Sequence, residues 1–240
     1  GGTLSHVISE TRKGNLTVHK SSFEKMYQNL YASGYDGTFV SMDGYRDPTE
    51  RDKLIISGNL INEINVGSVK HTILLGAELI DTESNNLRYD TSWLTTSDDN
   101  EVFDISRPMD FTINANGNAT SVDFTTSLKS KTSSDIKVTS LYIQDQVDLT
   151  DNIKLMVGGR HDSFDITVAD IKNMSSESRK DTEFSPRAGL VVKPSDEISL
   201  YWSFSQSFLP RSGEQYKVLS ATSARLEPDV FESNEVGLKY

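Results

Sequence analysis

The chain has no cysteine, which excludes a disulfide scaffold, thiolate metal ligands and a cysteine nucleophile. That absence leaves the compartment open, because an oxidising periplasm permits disulfides without requiring them. Basic residues are scarce, with 24 Lys and Arg against 35 Asp and Glu, a net charge of -11 and a pI near 4.8. Nucleic acid is thereby excluded as a partner, since neutralising phosphates needs a cationic stripe. Long apolar runs are missing too. Ile73-Leu74-Leu75 is typical of what is present, far short of the roughly 20 residues of a transmembrane helix. The sequence opens on Gly1-Gly2 without Met or a signal-peptide pattern and reads as a piece of a longer protein. With 35% apolar residues and a mean hydropathy of -0.45, composition alone suggests a soluble domain. A membrane β-barrel would look the same, because only every second strand residue meets lipid and the loops are polar.

What the sequence does have is alternation. Between Ile136 and Phe208 four successive segments place apolar residues at every second position. In SLYIQDQVDL these are Leu141, Ile143, Val147 and Leu149, with Tyr142, Gln144, Gln146 and Asp148 opposite, and Asp145 alone breaks the pattern. After Thr150-Asp151-Asn152 the set is Ile153, Leu155 and Val157. It continues as Phe184, Pro186, Ala188, Leu190 and Val192, then Ile198, Leu200, Trp202, Phe204 and Phe208. Opposite that last set lie Ser199, Tyr201, Ser203, Ser205 and Ser207. Strands with one apolar and one small, hydroxylic face, joined alternately by tight turns and longer loops, predict an all-β, antiparallel transmembrane barrel wall.

The blocks YIQDQVDLTDNIKLMVGGRHDSFD, FSPRAGLVVKPSDEISLYWSFSQSFLPRSGE and LEPDVFESNEVGLKY, with GSVKHTILLGAEL upstream, resemble successive parts of TonB-dependent siderophore receptors of Gram-negative outer membranes. The resemblance implies a barrel of about 22 strands, of which residues 1–240 supply about nine, with the plug domain and the remaining strands absent. It implies uptake of a ferric siderophore, outer-membrane lipid and lipopolysaccharide as surroundings, and energy from a TonB complex that engages the missing N-terminal region. The iron would travel in the siderophore, so neither a cofactor nor metal ligands are expected in the protein. The segment Tyr27 to Arg51 leans towards hydroxamate receptors.

In chain order, strands are expected at Thr3–Glu10, Leu16 to about Tyr31, Arg51–Val66, Lys70 to about Arg88, the four organising segments, and Val230–Tyr240. Tight turns near Thr11, Gly67, Thr150 and Pro194 belong on one rim. Loops at Ala32–Glu50, Tyr89–Asp135, Asp170–Asp181 and Pro210–Pro228 belong on the other, the second being the longest.

No catalytic constellation emerges. His161 and Asp162 are neighbours in a strand and point to opposite faces, while His6, His19 and His71 lack zinc-site spacing. Asp145 and Asp148 fit no defined carboxylate pair. Gly158-Gly159 lacks a following helix, so it reads as a place of close backbone approach rather than a phosphate loop. The acidic loop Asp98, Asp99, Glu101, Asp104 and Asp110 fits no EF-hand and reads as solvated. Ligand contacts are expected from Trp93, Phe103, Arg107 and Phe111, with Tyr45, Arg211 and Tyr216 in other loops. Aromatic walls with an Arg donor suit a bulky, often anionic chelate, although such side chains also pack loops together. Residues 97–111 are expected to form a mobile loop that is dispensable to strand pairing. Two other classes are compatible with alternation: a soluble β-sandwich or adhesin module, and an outer-membrane barrel enzyme.

Overall fold

The computed structural model describes residues 1–108, 110–210, 219 and 226–240. Its strands are β1 (Gly2–Ser9), β2 (Arg12–Tyr35), β3 (Phe39–Val66), β4 (Val69–Trp93), β5 (Glu101–Asp104), β6 (Val122–Thr150), β7 (Ile153–Asp170), β8 (Ser175–Ser195), β9 (Ile198–Leu209) and β10 (Asp229–Lys239). They form one antiparallel sheet in the order β1-β2-β3-β4-β6-β7-β8-β9-β10, with β5 added to the far end of β3. Strands β1 and β10 are its two edges, so the sheet is an open arc of wall.

Register converts alternation into two faces. Leu60, Leu75 and Ile143 lie side by side, as do Ala188 with Phe204, Leu190 with Trp202, and Trp202 with Val236. These apolar side chains are uncovered: Leu141 is 59% exposed, and Leu75, Leu79, Ile143, Leu200 and Val236 are exposed as well. A sandwich would cover such a face with a second sheet. Among the described residues none does so. On β4 the apolar face runs from Val69 to Leu79, which at about 3.3 Å per residue and a tilt of about 40° is roughly 25 Å, the height of a barrel's lipid band. Beyond it the same face turns ionic, with Asp81 beside Lys137, Lys137 beside Asp165, and Asp165 beside Lys180.

The opposite face is polar and concave. A cavity of about 700 Å³ opens there between Arg51, Tyr142, Arg160, Arg187 and Ser205. Arg160 sits at its centre, donating to Glu78 (2.8 Å), Asp162 (2.8 Å) and Ser140 (2.6 Å). Tyr142 lies beneath Arg160 and donates to Asn59 at 2.7 Å. Its ring also covers Gly76, where a Cβ would fall 2.0 Å from the ring, so only glycine fits. Gly158 and Gly159 are close approaches of the expected kind, to the Ile143 carbonyl and the Phe184 ring. His161 is exposed on the apolar face and Asp162 buried on the polar one, as strand neighbours must be.

The four tight turns fall at Glu10-Thr11, Gly67-Ser68, Asp151-Asn152 and Asp196-Glu197, on one rim as expected. On the other rim three expectations need correction. Ala32–Glu50 is strand except for Asp36-Gly37-Thr38, because β2 and β3 stay paired from Arg12↔Asn62 to Tyr35↔Val40. Pro48, which read as a loop residue, falls where the β3–β4 ladder is interrupted between Arg46 and Thr49, so its missing N–H costs no ladder bond there. Asp170–Asp181 shrinks to a turn at Ile171–Met174. Of Tyr89–Asp135, only 94–121 lies outside the long strands, and β5 within it pairs with β3 from Phe39↔Asp104 to Met42↔Glu101, so residues 97–111 do carry strand pairing. The loop at Pro210–Pro228 lies mostly outside the described residues, although Leu219 packs with Ile136, Phe164, Ile166 and Val168 on the concave face.

Candidate ligand-binding face

The 94–121 loop has an interior of its own. Trp93 is 0% exposed and Phe103 2%, with ring centroids 5.3 Å apart, and Phe111 meets Phe103 edge-on at 5.4 Å. Val40, Met42, Leu30 and Val122 complete this cluster. The buried carboxylate of Glu101 accepts from the hydroxyls of Thr95 and Thr120 and from the Val102 backbone N–H. Asn114 accepts from the backbone N–H groups of Asn116 and Asn118, each at 3.0 Å. Asp104 and Asp110 close short turns. Donation from the Ser106 hydroxyl and N–H holds the Asp104 carboxyl below its ordinary range, and donation from Thr112 does the same for Asp110. Among the described residues no three His, Asp or Glu side chains converge as a metal site.

This geometry redistributes the expected contacts. Trp93 and Phe103 have no surface to offer a ligand, and Phe111 packs against them. Arg107 is exposed but turned to its own loop, donating to the Asn114 carbonyl at 3.0 Å and lying 3.6 Å from Asp104. Arg211 and Tyr216 fall outside the described residues. Of the described candidates only Tyr45 stands on the concave face above the lipid band, and it has neighbours on β2 and β4.

On β2, Tyr27 and Tyr31 are in phase with Asn29, which pairs with Tyr45 of β3. Their rings approach Tyr45 at 5.7 and 6.2 Å. Arg88 of β4 lays its guanidinium over the Tyr45 ring at 3.9 Å, beside Asp47 at 3.4 Å and Asp90 at 3.9 Å. Lys129, the extra residue of a β6 bulge between Leu128 and Ser130, reaches Asp90 at 2.9 Å. Tyr31 donates its hydroxyl to Asp43 at 2.8 Å, and that bond, with the nearby negative charge, raises the phenol above its usual value. Tyr27 and Tyr31 remain exposed. The period-two spacing of Tyr27 and Tyr31 was the signal in the sequence. It became informative only once Tyr45 was known to be in strand.

An amphipathic open arc with tight turns on one rim, tall strands on the other and a polar concave face already defines the architecture. Residues 9–240 match the family model described as TonB dependent receptor-like, beta-barrel. The chain belongs to that family. It is 26% identical over 234 residues to the ferrioxamine receptor of Yersinia enterocolitica, covering 98% of this chain and 31% of that protein. With the ferrichrome outer membrane transporter/phage receptor of Escherichia coli K12 it shares 25% identity over 209 residues, covering 85% and 25%. The ferric-catecholate import receptor Fiu of E. coli K12, in its closed form, superposes with a TM-score of 0.76 at 14% identity, over 99% of this chain and 37% of Fiu. The chain thus spans a quarter to a third of the length of the relatives it matches. In the family frame this is a stretch of outer-membrane barrel wall, its apolar face outward and its polar face inward.

Proposed function

We propose that this barrel wall forms part of an outer-membrane receptor that captures a ferric siderophore outside the cell and passes it inward with energy from a TonB complex. The observation that supports it is the aromatic group of exposed Tyr27 and Tyr31 with half-buried Tyr45, raised above the lipid band on the concave face where an arriving chelate first meets the barrel. Large, flat, amphipathic rings suit a bulky chelate whose periphery is part apolar and part hydrogen-bonding. The cavity around Arg160 lies lower on the same face and continues the path. Iron is the cargo and stays within the siderophore, so the wall needs no ligand set of its own. Lipopolysaccharide and phospholipid would meet the outer face, with the ionic row at Asp81, Lys137, Asp165 and Lys180 at headgroup level.

Cells carrying the receptor, supplied with a radioiron-labelled ferric trihydroxamate, test the reading. Paired Tyr27→Ala and Tyr45→Ala substitutions should weaken binding about tenfold at equal outer-membrane abundance, two aromatic contacts being worth about 0.5–1.5 kcal/mol each. Undiminished binding would move recognition off this face.

A further inference from the structure

The charges around the tyrosines are unequal. Arg88 is committed to Asp47, Asp90 and the Tyr45 ring, and Lys129 to Asp90. Lys25, on the same face of β2, lies one step below Tyr27 and pairs in register with Thr49. Two further carboxylates lie at this rim with no ion-pair partner among the described residues. Asp43 takes hydrogen bonds from the Tyr31 hydroxyl and from its neighbour's N–H at Gly44 (2.5 Å), and Asp99 takes one from Asn100 at 2.6 Å. The Thr91 hydroxyl links the two residues, 2.7 Å from the Asp99 backbone carbonyl and 3.5 Å from the Asp43 carboxylate. The protein itself shows what this aromatic face accepts, since the group stacked on Tyr45 is a guanidinium. The exposed rings of Tyr27 and Tyr31, the second hydrogen-bonded to Asp43, offer a second such place.

We infer that the tyrosine rim is a subsite for a cationic group, so that the receptor prefers chelates bearing a protonated amine over those of net negative charge. This rests on the siderophore reading above and gives it a sign. Of the Arg donors expected for an anion, Arg107 is already engaged within its own loop and Arg211 lies outside the described residues. An anionic chelate would bring its charge to carboxylates that lack an ion-pair partner among the described residues, where opposite charge attracts and like charge repels across several ångströms.

The test uses one ferric trihydroxamate in three forms: with its terminal amine free, with the amine acetylated, and with it succinylated. The metal centre is identical in all three, so only peripheral charge changes. Binding to cells carrying the receptor should be about tenfold tighter for the free amine than for the succinylated form, with the acetylated form between. Raising the salt concentration should compress that ratio, because the rim is solvent-exposed. The Asp43→Asn, Asp99→Asn double variant should bring it towards parity. Equal affinity for all three forms, or preference for the succinylated one, overturns the charge inference and leaves the siderophore reading standing. Failure to bind any of the three overturns that reading and the inference with it. Were the double variant to reach the outer membrane poorly, the salt dependence of the natural receptor decides the matter alone.

Discussion

Among the described residues the apolar outer face contains one ion-pairable couple inside its band, and the signs of its mutational effects run against intuition. Asp145 and His71 project from β6 and β4 with Oδ2 and Nδ1 2.7 Å apart, each about a quarter exposed before any lipid is added. Asp145 stands among Ile73, Val157 and Ala188 in register, and its second oxygen, Oδ1, is buried without a partner. Counting from the band's lower edge near Leu149, Asp145 lies about 10 Å into the hydrocarbon. Replacing His71 with Leu deletes the bond to Oδ2 and leaves the whole carboxyl unsatisfied in lipid. A hydrogen bond to a charged group is worth about 1.5–3 kcal/mol, and an orphaned buried polar group costs about as much, so His71→Leu should lose about 2–3 kcal/mol. Asp145→Leu should be neutral or stabilising, since it removes the orphan and completes the row from Ile143 to Val147. The double variant should resemble Asp145→Leu rather than the sum of the two, a coupling that a double-mutant cycle reads directly. Unfolding of the receptor in bilayers or detergent against denaturant supplies the numbers. A loss on Asp145→Leu as large as that on His71→Leu would refute the reasoning, and would mean that this carboxylate meets a protein partner rather than lipid.

Two further outcomes follow from the same faces. Phe204 and Ser203 lie on opposite sides of β9, and Phe204 is level in register with Ala188, Val157 and Asp145, so Phe204→Arg should cost about 2–4 kcal/mol near mid-bilayer and Ser203→Arg much less, read as shifts in unfolding midpoint; equal costs would mean that both faces are packed. Trp93→Ala empties the centre of the 94–121 loop, and by the usual cost of about 3–5 kcal/mol for a buried large aromatic it should open that loop to protease while the lipid-embedded strands stay folded, which limited proteolysis on intact cells checks.

How far the sequence could be read was decided by where water is. In the lipid band one face is apolar and the other polar, and Leu141, Ile143, Val157 and Leu200 announce their strands by period alone. Above the band both faces are wet. There Asp43-Gly44-Tyr45-Arg46-Asp47-Pro48 has no apolar stripe to alternate, and its Gly, Asp and Pro carry the composition of a loop, yet a backbone ladder of more than twenty residues holds it in strand. The same blindness hid the interior of the 94–121 loop. Trp93 and Phe103 looked available because their stretch looked unstructured; once β4 extends to Trp93 and β5 pairs with β3, both rings turn inward. Tyr27, Tyr31 and Tyr45 were written in phase, but their meeting depends on Asn29↔Tyr45, a pairing across sixteen residues that no local pattern specifies.

Asp145 makes the converse case. The one residue that broke the alternation was neither a sign of a wrong period nor of a catalytic carboxylate, because its answer lay at His71, on a strand 74 residues earlier in the chain. A polar residue on a lipid-facing row must find a partner within reach or be eliminated by its desolvation cost. Register places His71 on the same outer face one step diagonally across β4, beside Val147 while Asp145 opposes Ile73. An exception to a pattern therefore carries more structural information than the residues that obey it. Each conforming leucine is satisfied by lipid alone and constrains nothing beyond its own face, whereas the aspartate requires a particular neighbour, and so fixes how β4 and β6 are aligned.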